Sequence, residues 1–515
     1  MIFLLSISYK TPTMKNLFTL IIFTIICYSA ESQISFDQLN LNFGDYHVGF
    51  QHTVEYDHSR TYQKKMQWDH EFTSRPLEIS LWFPAEKSAH SERFDIANYL
   101  EILKREEEWE SLPTEQILNW FAYPNTVKNR QLLKEKTKAF HFANPIEKKF
   151  PAVIYAPSYE ASSVENFAMC EFLASHGYVV IAVTSKGESH RRIGREIVKG
   201  LEAQTRDLEF LLGRLHQMPN VNTKKIGTMG FSFGGLSNVL LQMRNKHIKA
   251  IVSLDGTIRY NYGALKKHPS ANVLQVDVPF IHFAQKEIPK DILESDKIDP
   301  KLNTEFLFYN ELKYSDAYKI RMKNMTHMNF ASLDIFLRER DKRQDKSDRE
   351  ILESYKVVSE YTLNFLNAYL KNDEKALPLL KKKAYSSLLT IEHKSALSTP
   401  FTFRDFHELA KKQNYQALEK LFENVKKSHS RFEIPEGQLN QLGLQLVFNP
   451  KVSKNGIAIF ELATKLYPKS GNLFDSLAEG YLFIGDKKNA IRNFKKSLEL
   501  SPSNQNAIRR LNTLK

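Results

Sequence analysis

At 515 residues the chain is longer than one ordinary domain, so two or three folding units are expected. With 42% hydrophobic and 25% charged residues it falls among ordinary globular proteins. The formal net charge of +13 is dispersed among acids, as in 338–350 (RERDKRQDKSDRE), which argues against nucleic-acid binding, although excess lysine favours anionic surfaces such as membrane lipids.

The N-terminus reads as a targeting segment. After Met14-Lys15, an alternative start, Leu17 to Tyr28 is apolar over about a dozen residues, short of the roughly 20 that a spanning helix needs. Ala30-Glu31-Ser32 fits small-x-small cleavage, so residues 1–32 are expected to be a signal peptide and the protein exported, to the periplasm or the medium. An uncleaved anchor is the alternative. Ile26 ahead of Cys27 does not suit lipoprotein processing, and after cleavage only Cys170 remains, so no intramolecular disulfide is available. Cys170 lies among apolar helix neighbours and reads as core.

Residues 34 to about 90 alternate in short segments and end in a strand, Arg75 to Pro84, stopped by proline. The stretch 90–147 is helical and polar, shows no strand signal, and reads as an insertion that could cap a site. From Pro151 onward, apolar runs (151–156, 178–183, 250–254, 278–283) and shorter strand-like ones (225–229, 318–322) alternate with helical segments (165–176, 197–218, 236–243, 347–370). Apolar strands that do not alternate, separated by helices, imply a mostly parallel sheet covered on both faces, a doubly wound α/β domain spanning 34–383.

Residues 400–515 are expected to be all helical. Pro468 and Pro502 stand 34 residues apart, and Phe474, Leu477, Tyr481, Gly485, Ala490, Phe494 and Ser497 occupy the large and small packing positions of a tetratricopeptide helix pair. Pro468, Ala463, Phe460 and Gly456 repeat the pattern more weakly, Phe403 to Lys427 reads as a further pair, and Asn504 to Leu514 as a polar cap. Such a tail either recruits a protein partner or packs against the first domain.

The chemistry centres on Gly230-Phe231-Ser232-Phe233-Gly234-Gly235, a G-x-S-x-G run between a strand and a helix. A serine nucleophile needs a base and an acid, and at such an elbow they follow in the order Ser, acid, His. Asp255 follows the strand ending at Leu254, and His327 follows the run ending at Met322. Glu287 is the rival acid. His190 is a rival base, but it precedes the serine; His282, inside a strand run, reads as packing.

The GFSFGG elbow, Arg75-Pro76 with Leu81-Trp82-Phe83-Pro84-Ala85, Ser175-His176-Gly177-Tyr178, Asp255 and His327-Met328-Asn329-Phe330 together resemble the platelet-activating factor acetylhydrolase branch of the α/β-hydrolases, close to dienelactone-hydrolase-like esterases. The resemblance spans about 350 residues and implies the triad Ser232, Asp255 and His327, since that branch places its acid after the strand following the nucleophile strand. It also implies an oxyanion hole from the backbone N–H groups of Phe233 and Tyr159, although Pro157-Ser158 stands where relatives carry His-Gly or Pro-Gly. No metal cluster, phosphate loop or dinucleotide fingerprint is evident, and no cofactor is expected. The expected activity is a serine esterase working through an acyl-enzyme on a small ester or lipid substrate, short acyl and acetyl esters included. An amidase or peptidase on the same triad, and a silent hydrolase fold that binds a partner through its tail, are the alternatives.

Overall fold

The computed structural model describes residues 35–514 apart from 65–70, 88–91, 122, 296, 341–342 and 382–384, so the expected signal peptide lies outside the described residues. Contacts divide the chain between Leu397 and Ser398 into two compact units.

Among the described residues the first unit is built on eleven strands: β1 (His47–Tyr62), β2 (Thr73–Ala85), β3 (Arg93–Asp95), β4 (Lys136–Phe140), β5 (Phe150–Ala156), β6 (Val179–Val183), β7 (Val221–Phe231), β8 (Ile248–Leu254), β9 (Phe280–Ala284), β10 (Ala317–Met322) and β11 (Leu389–Lys394). They form one sheet in the order β11-β10-β9-β8-β7-β5-β6-β2-β1-β4-β3. From β6 to β10 every neighbouring pair is parallel, while β2 runs antiparallel to β6 and β11 antiparallel to β10. All residues of β5, β6 and β9 are buried, which is why their sequences read as unbroken apolar runs.

Alternate residues of these strands feed two cores. Val153, Tyr155, Met229 and Phe231 pack under the helices Phe167–Ser175 and Asp348–Leu370. Ala152, Ile154, Ala156 and Ile226 pack under Ile197–Gln217 and Phe233–Arg244. Cys170 is buried within the first layer.

Two features depart from the expectation. The stretch 90–147 carries the strands β3 and β4 besides its helices, with β4 parallel to β1 and β3 antiparallel to β4 at the sheet edge. Its helix Ile96–Glu106 is part of the main core: Tyr99 is fully buried, accepts from Trp82 Nε1 at 3.0 Å and donates to Glu171 Oε1 at 2.7 Å. Beyond the expected limit at 383, β11 extends the sheet to Lys394.

The second unit is helical, with segments Phe403–Lys412, Leu418–Ser428, Glu436–Val447, Ser453–Leu466, Gly471–Phe483, Lys487–Leu500 and Gln505–Leu514. Phe460, Ala463, Ala490 and Phe494, expected as packing positions, are completely buried. Close helix crossing explains Gly456, where a Cβ would stand 2.4 Å from the Val447 amide nitrogen. Among the described residues no helix is long and apolar enough to cross a membrane.

Candidate active site

The turn from β7 into the helix Phe233–Arg244 places Ser232 at φ 51° and ψ −116°. A non-glycine residue at such angles costs on the order of 1–3 kcal/mol and persists only where its surroundings impose it. They do so here through the backbone: the Ser232 amide donates to Leu254 O at 3.1 Å, and its carbonyl accepts from Gly235 N at 3.1 Å and Thr257 N at 2.8 Å. The tightness of the turn accounts for its glycines. A Cβ on Gly234 would lie 1.9 Å from Ala156 O, and one on Gly230 would lie 2.5 Å from the Gly234 carbonyl carbon.

The structure brings Ser232, His327 and Asp255 together. His327 begins a short turn that follows Thr326, whose amide and hydroxyl both donate to Asn329 Oδ1 at 2.9 Å. Its Nε2 stands 2.9 Å from Ser232 Oγ and its Nδ1 stands 2.6 Å from Asp255 Oδ2. Because an ionised carboxylate can only accept, Nδ1 carries the proton and Nε2 is left to accept from the serine hydroxyl. Asp255 is wholly buried at the end of β8, with its second oxygen accepting from Gln285 N at 3.0 Å. Burial pushes its carboxyl up, but the hydrogen bond and charge of His327, with His282 and Arg259 behind, hold it below the usual carboxylate range.

The rivals stand elsewhere. Glu287 is exposed, as is His190, whose Nδ1 accepts from Arg192 N at 3.2 Å. His282 is buried in β9 with Nδ1 2.9 Å from Ser253 Oγ.

Phe233 is the first residue of its helix, where a backbone N–H has no partner within the helix. Tyr159 lies beside it, the two rings edge-on with centroids 5.6 Å apart. The intervening loop is organised by Glu165, which accepts from Ser158 N at 2.9 Å, from Tyr155 OH at 3.0 Å and from the Ser158 hydroxyl. The Ser158 amide is thereby taken by Glu165.

Two residues of this site escaped the sequence reading. Gln285 donates its amide to Asp255, accepts from His327 N at 3.2 Å through Oε1, and donates Nε2 to Tyr260 OH at 3.2 Å. Its only sequence signal is its place directly after a buried strand. Glu165 sits in a helical run, and nothing in the pattern separates it from a solvent-facing glutamate.

Residues 138–317 match the dienelactone hydrolase family. The first unit has the α/β-hydrolase fold. The matched residues include Ser232 and Asp255 and end before His327. No curated protein matches the chain. Among solved structures, a ferulic acid esterase from Streptomyces cinnamoneus is similar at 18% identity and a TM-score of 0.48, over 68% of this chain and 96% of that one.

Proposed function

We propose that the first unit is a serine esterase. The observation that carries the reading is the unbroken chain from Ser232 Oγ through His327 to Asp255, at 2.9 and 2.6 Å; the dienelactone hydrolase match supports ester hydrolysis in general. In this reaction Ser232 attacks the ester carbonyl carbon while His327 Nε2 takes its proton, and Asp255 holds the tautomer and stabilises the imidazolium. The Phe233 and Tyr159 amides receive the charge that develops on the carbonyl oxygen. His327 returns the proton to the departing alkoxide, and water, deprotonated by the same imidazole, then releases the acid and frees Ser232.

The resemblance to platelet-activating factor acetylhydrolases favours short acyl esters, including those of phospholipids. The same reading includes an exported protein with 1–32 as its leader, and a tetratricopeptide-like tail at 400–515 offered to a protein partner.

Fluorophosphonate labelling combined with p-nitrophenyl acetate turnover tests the activity. Wild type is expected to label and turn over, whereas Ser232→Ala should lose labelling and at least about 10³-fold in kcat with the fold intact. A wild type that neither labels nor hydrolyses would instead favour a silent hydrolase fold used for binding.

A further inference from the structure

A second group of polar side chains lies in the first unit and takes no part in the proposed reaction. Strand register sets His282 opposite Lys319, which faces Glu392, and sets Arg321 opposite Thr390, so these residues share one face of β9, β10 and β11. Arg259, from the helix Ile258–Lys266, closes over that face and leaves a cavity of about 20 Å³. Three nitrogens of its walls are buried without a hydrogen-bond partner: Arg259 Nη1, Arg321 Nη1 and His282 Nε2.

The charges do not balance. Lys319 is paired with Glu392 at 2.8 Å. Arg259 and Arg321 each spend Nη2 on the neutral carbonyl of Asn303, and neither forms an ion pair with a carboxylate among the described residues. Asp255 and Glu287 act on Arg321 only at longer range, the first being committed to His327 and Gln285 and the second exposed. His282 is neutral, burial pushing it down to about 3, and in the tautomer whose Nδ1 accepts from the Ser253 hydroxyl the proton sits on Nε2, at the cavity wall.

A buried guanidinium (Arg259) beside a half-buried one (Arg321), neither with a paired carboxylate, is costly, and the unpartnered buried Nη1 donor of each adds to that cost. A water has two lone pairs for three donors and leaves the charge uncompensated. A monovalent anion accepts from all three and offsets one of the two unpaired positive charges. We propose that this cavity binds one small monovalent anion of the halide class, held by Arg259 Nη1, Arg321 Nη1 and His282 Nε2. This site is independent of the esterase reading.

Thermal unfolding of the full chain in sodium bromide and in sodium gluconate at equal ionic strength tests it, because gluconate is too large for the cavity. The melting temperature should be higher in bromide by about 2 °C or more. The shift should persist in Ser232→Ala, which separates the site from catalysis, and disappear in Arg321→Gln. Equal melting temperatures in the two salts would overturn the proposal, as would a bromide shift that survives Arg321→Gln. Should that variant fail to fold, anomalous scattering from wild-type crystals soaked in bromide decides: a peak between Arg259, Arg321 and His282 is expected, and an ordered water there without bromine signal refutes the site.

Discussion

Glu165 shows how one buried side chain sets the geometry of a loop close to Ser232. It takes the Ser158 amide and hydroxyl, next to Tyr159 of the proposed oxyanion hole. Burial pushes its carboxyl up to about 7, above the ordinary 4.5. A folded pKa above the unfolded one means that the folded state binds more protons between these values. Its contribution to stability is therefore complete below about 4.5 and lost as the pH rises to about 7. Glu106 and Glu171 are raised to about 7 as well, so the wild-type curve alone does not isolate one group. In Glu165→Gln, the decline in unfolding free energy between pH 5 and 7 should be shallower than in wild type by up to about 1.4 kcal/mol per pH unit. Parallel denaturation curves for the two proteins across that range would show that Glu165 does not titrate there.

At the scale of elements, the strand-to-helix turn at Ser232 depends on backbones in contact. At Gly234 the obstacle to a side chain is the Ala156 carbonyl of β5, which belongs to the sheet and has no rotamer to move. Gly234→Ala should therefore destabilise the first unit by about 3 kcal/mol or more, read as a lowered urea midpoint, and should lower esterase turnover with it. A midpoint equal to that of wild type would mean that the turn is looser than its geometry implies. The same contrast between local and long-range causes explains what the sequence made legible. The fully buried strands β5, β6 and β9 are written as apolar runs, and the elbow is written in its glycines. β3 has three residues, and β4 alternates over only five, Lys136–Phe140, with two of them buried, so neither produces a period distinct from the helices beside it. β11, with one buried residue in six, owes its place to pairing with β10, which is a contact made across the chain. Gln285 and Glu165 were hidden for the same reason, because their roles lie in partners 30 and 7 residues away.

On the scale of the whole molecule, the question is whether the helical tail can fold by itself. Its repeat signature alone suggested fewer than three clear units, which would leave an apolar face in need of support. The structure gives seven helices after Leu397, with one cluster centred on Phe406, Phe432, Leu439 and Ile459 and another on Val447, Phe460, Ala478 and Phe494. Both are assembled from residues of the tail, and every member named here is at least nine-tenths buried. Helix hairpins joined by short loops make mostly local contacts, which favours independent folding. Residues 398–515 produced alone should therefore give a helical circular dichroism spectrum and a cooperative thermal transition. A spectrum without helix, or a melt without a transition, would mean that these clusters do not suffice and that the tail depends on the hydrolase unit for its structure.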